Sequence, residues 1–297
     1  EHIYKDKNMN KLFESLYSKA KITILHSGEA VSCDFNLFDY CIGFDNNLTY
    51  GDRYIQHTDI FSFFSNFVFE KENTICDESE ARKNLKEKTG FCNFLYSNAN
   101  AHPFRDKLFY SLSEYKKVDS LGKHLNNTNL GATGYVGHFN ECVILKNKYK
   151  FSIACENSLY DGYTTEKILT SLQAHTIPIY FGNPSVSDII NSKAFINCHD
   201  FQNIDEIVKF VKKVDEDDNL WCEMVSQPWL TDENTQKLNE RKKRYIEFFR
   251  NIFNQEIIYA KRKPEGTYIN IYKDWFFKRQ YQNKSFLTRV FSKIKNR

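Results

Sequence analysis

The stretch from Phe151 to Pro184, FSIACENSLYDGYTTEKILTSLQAHTIPIYFGNP, leaves few folds open to this chain. Phe151 to Cys155 is a short apolar run, stopped by the polar residues Glu156, Asn157 and Ser158. Thr164 and Thr165 supply a helix start, and Ile168, Leu169 and Leu172 recur at the spacing that gives a helix one apolar face. Ile177 to Phe181 is a second apolar run of strand length, closed by Gly182-Asn183-Pro184. Strand, helix and strand at this spacing make a parallel βαβ crossover, and so an α/β fold. The polar residues sit at the carboxyl end of a strand beside a helix N-terminus. Open α/β sheets bind nucleotides there.

One local rule is broken inside this unit. Lys167 falls in the first turn of its helix, where the macrodipole disfavours a cation. A bound diphosphate reverses that penalty, because lysine and helix terminus then face an anion together. Glu166 cannot serve phosphate, but its carboxylate can accept from a ribose diol. Taken alone, the pair also fits a solvated helix surface.

Around this unit the chain divides into three. Residues 1–88 read as a small α/β domain, with a helix over Met9 to Lys19. A strand over Ile22 to His26 ends in Ser27-Gly28-Glu29, and a second strand-like run covers Asp39 to Gly43. Residues 70–90 are polar and charged and read as an exposed connector. Residues 89–252 hold the βαβ unit and end in a long charged helix over Lys237 to Phe253, with Tyr245, Phe248, Phe249 and Phe253 turned inward. Residues 253–297 form an extension.

Composition fits two ordinary domains. Apolar residues make up 41% and aromatics 16% of the 297 residues, enough for packed cores. No apolar stretch approaches the length of a membrane-spanning helix, and the amino terminus lacks a signal-peptide layout. The chain opens on Glu1, so its natural start is expected upstream. None of the eight cysteines forms a C-x-x-C pair, and several lie in apolar runs; buried free thiols are the preferred reading, and a disulfide framework is the alternative for a secreted protein. Zinc has little support at these spacings. Net charge is only +3, yet residues 275–297 carry seven Lys or Arg and no acid. Phe286, Leu287, Val290, Phe291 and Ile294 recur there at helical spacing, which reads as a basic amphipathic helix for an anionic membrane surface. Nucleic acid is not the expected partner, because stacking platforms and a basic fold are absent.

The segments ENSLYDGYTTEK and HTIPIYFGNPSV closely resemble the donor-site signature of family-10 glycosyltransferases, the α-1,3-fucosyltransferases, above all the bacterial, Helicobacter-type members. HSGEAVSCDFNLFDYCIGFD (26–45) resembles the acceptor-side loop of that family. FLYSNANAHPFRDKLFYSL (94–112) resembles the strand, loop and helix that open its donor domain, and KAFINCHDFQNIDEIVKFV (193–211) follows the pattern after the second donor strand. The likeness fades after about residue 260. It implies a GT-B fold, two Rossmann-like domains facing a cleft, with the amino-terminal, acceptor-side domain truncated. Relatives carry a further strand-helix unit before the segment matching residues 10 to 30. In GT-B enzymes a carboxyl-terminal helix crosses back to the first domain, a role for the helix that ends near Phe253.

The chemistry implied is inverting transfer of L-fucose from GDP-β-L-fucose to a GlcNAc hydroxyl of an N-acetyllactosamine-type glycan. The linkage is α-1,3 or α-1,4, as in lipopolysaccharide and Lewis-antigen synthesis, on the cytoplasmic inner face of a bacterial membrane. By resemblance Glu29 is the general base, with His26 and Asp34 the other polar candidates in its loop. Arg105 and Lys167 neutralise the diphosphate. Arg105 comes early in a helix that Pro103 helps to start, and its fork suits phosphate oxygens. Ser97 and Asn98 line the donor loop, Glu156 and Asn157 meet donor hydroxyls, Tyr163 bonds the diphosphate or stacks near the sugar, and Glu166 holds the ribose. His175 reads as a packed helix-end residue. No metal or other cofactor is expected: there is no D-x-D in the donor loop, two cations can do the neutralising, and Asp215 to Asp218 read as solvated charge. The rival readings are a same-fold transferase with another nucleotide sugar and a non-catalytic nucleotide- or glycan-binding protein.

Overall fold

The computed structural model describes residues 7–56, 76–131 and 139–277, with side chains from residue 11. Two parallel sheets organise them. The first has strands β1 (Ile24–His26), β2 (Tyr40–Gly43) and β3 (Tyr54–Gln56) in that order, with Ile24 beside Tyr40 and Cys41 beside Tyr54. Helix α1 (Lys7–Lys19) precedes it. The second has the order β5-β4-β6-β7-β8, formed by β4 (Gly90–Phe94), β5 (Val118–Ser120), β6 (Tyr149–Cys155), β7 (Ile177–Phe181) and β8 (Ile196–Asn197). Phe151 of β6 lies between Cys92 and Ile177, so β6 is central. The chain leaves β4 for β5 on one side and returns to β6 on the other. That reversal makes a crevice at the carboxyl ends of β4 and β6.

Both faces of the second sheet are covered, as a parallel sheet requires. Alternate residues of β6 divide between two cores. Phe151, Ile153 and Cys155 join a cluster with Leu108 and Leu112 of α3 (Phe104–Tyr115), Val211 of α6 (Ile204–Glu216) and Trp221 of α7 (Asp218–Val225). Ala154 faces the other way, onto Ile168, Leu169 and Leu172 of α5 (Glu166–Gln173), with Tyr180, Trp229 and Leu230. The expected apolar stripe of α5 is buried, and its Thr170 and Ser171 are buried too. Helix α4 (Phe139–Lys146) packs beside α5.

Helix α8 (Asp232–Asn254) starts at a capping box between Thr231 and Asn234, worth about 1 kcal/mol in comparable helices. It then crosses to the first sheet, where Phe248 and Ile252 pack on Tyr40 and Ile42. Tyr245 and Phe249 border that cluster, but Phe253 is 74% exposed, contrary to its expected inward direction. Position 252 takes the core place and 253 is one residue around the helix. After α9 (Ile257–Ala260), the backbone amides of Arg262 and Lys263 donate to Asp39 Oδ1 at 2.8 and 2.9 Å, and Asp39 Oδ2 accepts from Thr23. One buried carboxylate thus ties the carboxyl-terminal segment to the edge of β1 and β2. Burial would push its pKa up, but these hydrogen bonds outweigh burial and hold it below the ordinary carboxylate value.

Several expectations are corrected. Within 70–90 the chain forms helix α2 (Glu78–Glu87), capped by Asp77, which buries Ala81 and lies against α7 through Arg82 and Asn219. Residues 70–75 lie outside the described residues. Cys33 and Cys41 form a disulfide, with Cα atoms 6.1 Å apart, so only Cys76, Cys92, Cys142, Cys155, Cys198 and Cys222 are the buried free thiols expected of all eight. Asp215 is not solvated charge: it is 8% exposed and accepts from Tyr115 and Lys116 at 3.0 Å, with Lys150 at 3.3 Å. Asp217 caps α7. His175 does end α5, partly buried at φ 47°, and burial lowers its pKa. No helix of the described residues is long and apolar enough to cross a membrane. The basic stretch 278–297, and the amphipathic helix expected in it, lies outside the described residues.

Candidate active site

A cavity of about 290 Å³ opens at the crevice between β4 and β6. Its wall includes Gly28 and Glu29 from the loop after β1, Ser97 and Asn98 after β4, and Asn157, Tyr163, Glu166 and Lys167 around the start of α5. Residues more than a hundred positions apart in sequence meet here because two sheets present their carboxyl ends to one space.

Glu29 reaches the second sheet directly. Its Oε2 accepts from Tyr163 Oη at 3.0 Å, and Ser27 Oγ donates to its backbone carbonyl at 2.7 Å. Tyr163 is 2% exposed and packs edge-on against Phe44 at 4.8 Å. Burial first, then the nearby Glu156 and Glu29 carboxylates, raise its pKa, so the phenol stays protonated and donates. Of the other polar candidates in that loop, Asp34 accepts from Tyr272 Oη at 2.7 Å and lines a separate cavity with Phe35 and Tyr50. His26 is exposed at the end of β1.

Lys167 lies between two carboxylates, with its Nζ 3.1 Å from Glu156 Oε2 and 3.4 Å from Glu166 Oε1; it also donates to Thr165 Oγ1 at 2.8 Å. Burial alone would lower its pKa, but Glu156 and Glu166 override that and raise it, so the cation is fixed at the cavity wall. Burial pushes Glu166 up, but Lys167 together with hydrogen bonds from its own backbone amide and from Thr165 outweighs burial and holds its pKa below the ordinary value, so it remains ionised. A cation in the first turn of a helix is thereby offset by two acids.

Two expected donor ligands sit elsewhere than the sequence suggests. Glu156 is wholly buried: Oε1 accepts the Thr165 amide and Oε2 the Thr165 hydroxyl, each at 2.7 Å. A Cβ at position 182 would lie 2.5 Å from Glu156 Cγ, so Gly182 lets β7 close over this side chain. Glu156 therefore caps the start of α5 and aims Lys167; it does not face the cavity. Arg105 is likewise 0% exposed. Its guanidinium stacks on Tyr96 at 4.4 Å and donates to the Asn98 carbonyl at 2.7 Å, with Asn157 Oδ1 and Asp106 Oδ1 each at 3.4 Å. It lies behind the wall made by Asn98 and Asn157, and each of its three nitrogens donates to a protein oxygen. Ser97, Asn98, Asn157, Tyr163, Glu166 and Lys167 are the donor-side candidates that do line the cavity.

Sequence reasoning missed the contacts that join the two sheets. Tyr160 Oη donates to Asp45 Oδ2 at 2.9 Å, and Asp161 accepts from Asn46 at 3.0 Å and Asn47 at 3.1 Å. Gly162, at φ +90°, passes so close to the Phe44 carbonyl that a Cβ would lie 1.9 Å from its oxygen. The signal was the LYDGY segment itself, whose partners are far away in sequence. Lys146 was missed as well; it lines the cavity from α4.

The family model for glycosyltransferase family 10 (fucosyltransferase), C-terminal part, matches residues 85–272, which hold β4 to β8 and the helix that crosses back. The chain belongs to glycosyltransferase family 10. This family-10 chain is 32% identical over 278 residues to an α-(1,3)-fucosyltransferase of Helicobacter pylori, covering 82% of this chain and 55% of the relative. It spans about half the length, or less, of the curated relatives it matches. A crystal structure of an α-1,3-fucosyltransferase superposes with TM-score 0.69 at 27% identity, covering 88% of this chain and 79% of the other. A crystal structure of an α-1,3-fucosyltransferase with GDP-fucose superposes with TM-score 0.63 at 28% identity, covering 78% of this chain and 75% of the other. The parallel-sheet architecture of the family-10 chain is accordingly of GT-B type, as its sequence implied.

Proposed function

We propose that the chain transfers L-fucose from GDP-β-L-fucose to an acceptor hydroxyl with inversion at the anomeric carbon. The observation that carries this reading is the Tyr163–Glu29 hydrogen bond, which brings a carboxylate of one sheet to the donor loop of the other. Residues 89–252 act as the donor domain, 1–88 as the acceptor side and 253–297 as an extension. The diphosphate lies against Lys167 and the N-terminus of α5, and Glu166 accepts from the ribose hydroxyls. Arg105 adds charge from behind the Asn98–Asn157 wall. As the acceptor oxygen bonds to the anomeric carbon, the bond from that carbon to the β-phosphate oxygen breaks and GDP departs. The acceptor proton goes to Glu29. Sugar charge builds in the transition state, so fixed charges at the cavity wall do most of the work.

The acceptor in this reading is a GlcNAc hydroxyl of an N-acetyllactosamine-type glycan of lipopolysaccharide, linked α-1,3, with α-1,4 the rival linkage. The basic apolar sequence of 275–297 supports attachment to the inner face of a bacterial membrane. Neutralisation by Lys167 and Arg105 makes a metal ion unnecessary, so GDP should bind in the presence of a chelator. The deciding experiment offers GDP-fucose, GDP-mannose and UDP-sugars with a panel of defined acceptors, and reads products by mass spectrometry. Fucosylated product is expected. Transfer of a different sugar, or GDP binding with no transfer to any acceptor, overturns the reading.

A further inference from the structure

Lys146 ends α4 with its ammonium buried at the cavity wall. It donates to the Lys167 carbonyl at 3.2 Å, to Thr170 Oγ1 at 2.8 Å and to Ser171 Oγ at 3.0 Å. Its three N–H bonds are therefore all spent on the first turns of α5, and all on uncharged oxygens. Among the described residues, no carboxylate lies within ion-pair distance of it. Both acids of the region, Glu156 and Glu166, are committed to Lys167. A buried ammonium without a partner acid is costly, and the carboxyl end of α4 offsets only part of that cost. An anion in the adjoining cavity would complete the balance.

We propose that Lys146 is a positioning residue of the donor site: it clamps the turn of α5 that carries Glu166 and Lys167, and its charge strengthens the hold on a nucleoside diphosphate. This rests on the donor-site reading above and adds a residue and a pH dependence to it. The titratable groups that face Lys146 are Cys142 on its own helix, Glu166 and Lys167 on α5, and Glu156 at the end of β6. Tyr96 lines the same cavity, and Tyr149 packs with Cys142; burial raises both phenols, so neither ionises near neutrality. Lys146 is different. Burial pushes its pKa down to about 8, with Cys142 and Glu166 opposing.

The sign follows from linkage. A bound anion favours the charged lysine, so GDP affinity is full where Lys146 is protonated and declines as pH rises through about 8. If GDP raises the Lys146 pKa by about one unit, affinity falls about ten-fold once both values are passed. Lys88 also titrates low, at about 7, and donates to the Ala174 carbonyl at 2.9 Å at the far end of α5. It is the control.

The experiment measures GDP affinity by calorimetry from about pH 7 to about pH 9.5 for the parent, Lys146→Met, Lys146→Arg and Lys88→Met. The parent and Lys88→Met should both lose about ten-fold across this range. Lys146→Met should start about ten-fold weaker and stay flat. Lys146→Arg keeps its charge and should hold its affinity at high pH. A pH-independent parent, or a Lys146→Met variant that follows the parent, overturns the proposal. Absence of GDP binding in the parent overturns the donor-site reading instead. The clamp is then judged by amide hydrogen exchange without ligand: faster exchange across Glu166 to Leu172 in Lys146→Met supports it, and unchanged exchange defeats it.

Discussion

Glu156→Gln separates a residue that contacts the donor from one that holds the site from beneath. Oε1 of Glu156 accepts the Thr165 amide, and Oε2 accepts the Thr165 hydroxyl while lying 3.1 Å from Lys167 Nζ. The Thr165 amide on one oxygen and the Lys167 ammonium on the other can only donate, so the amide of Gln must set an N–H against a donor whichever way it turns. The Thr165 amide belongs to the start of α5 and cannot turn away. The NH2 group must therefore face Lys167, which keeps Glu166, at 3.4 Å, as its one acid and the Thr165 hydroxyl as a neutral acceptor. A charge-assisted hydrogen bond contributes about 1.5–3 kcal/mol, and breaking one side of a buried pair costs about 3–5 kcal/mol. With Glu166 still in reach the expected loss is about 3 kcal/mol, a fall in Tm of roughly 6–12 °C for a chain of this size. GDP affinity should stay within about five-fold of the parent, near 1 kcal/mol, because Lys167 still lines the cavity. Thermal unfolding and calorimetry on the same preparation give both numbers. Parental stability with GDP binding abolished would refute the argument and return Glu156 to the donor contacts that its position after β6 first suggested.

Glu29→Ala should leave GDP affinity nearly unchanged and lower turnover by roughly 10²–10⁴-fold, the usual contribution of a general base; near-parental turnover removes Glu29 from that role, and loss of GDP binding shows that the Tyr163 contact supports the donor loop. Stability should rise between about pH 7 and about pH 8.5, because Lys88 and Lys146, with pKa values lowered by burial to about 7 and about 8, bind fewer protons folded than unfolded. Above about pH 9 the trend should reverse, since burial raises five thiols, Cys76, Cys92, Cys155, Cys198 and Cys222, and their ionisation in the unfolded chain then outweighs the two lysines; a urea midpoint that falls steadily from about pH 7 would contradict this. The full chain should sediment with anionic vesicles more than a version ending at Asp274, and less so in salt, since each Lys or Arg near such a surface contributes about 1 kcal/mol; equal sedimentation of both rules the tail out.

The sequence by itself determined the elements whose signals are local. The periods of Phe151 to Cys155, of Ile168, Leu169 and Leu172, and of Ile177 to Phe181 each encode one strand or helix, because a run of side chains fixes which face can be buried. The resemblance carried by ENSLYDGYTTEK placed this unit in family 10, and Lys167, Glu166 and Tyr163 do line one cavity. Short strands such as Val118–Ser120 and Ile196–Asn197 were not legible, since two or three residues carry no period and are held by the neighbours they pair with. Only the tertiary structure decided what each polar residue faces. Glu156 and Asn157 are adjacent in sequence, yet one is sealed beneath Gly182 and Thr165 and the other lines the cavity. Glu29 and Tyr163 are 134 positions apart and meet at 3.0 Å, while Asp34, in the same loop as Glu29, turns to Tyr272. Hydrogen-bond partners and burial belong to the packing of two sheets against each other, and no window of sequence contains both sides of that contact.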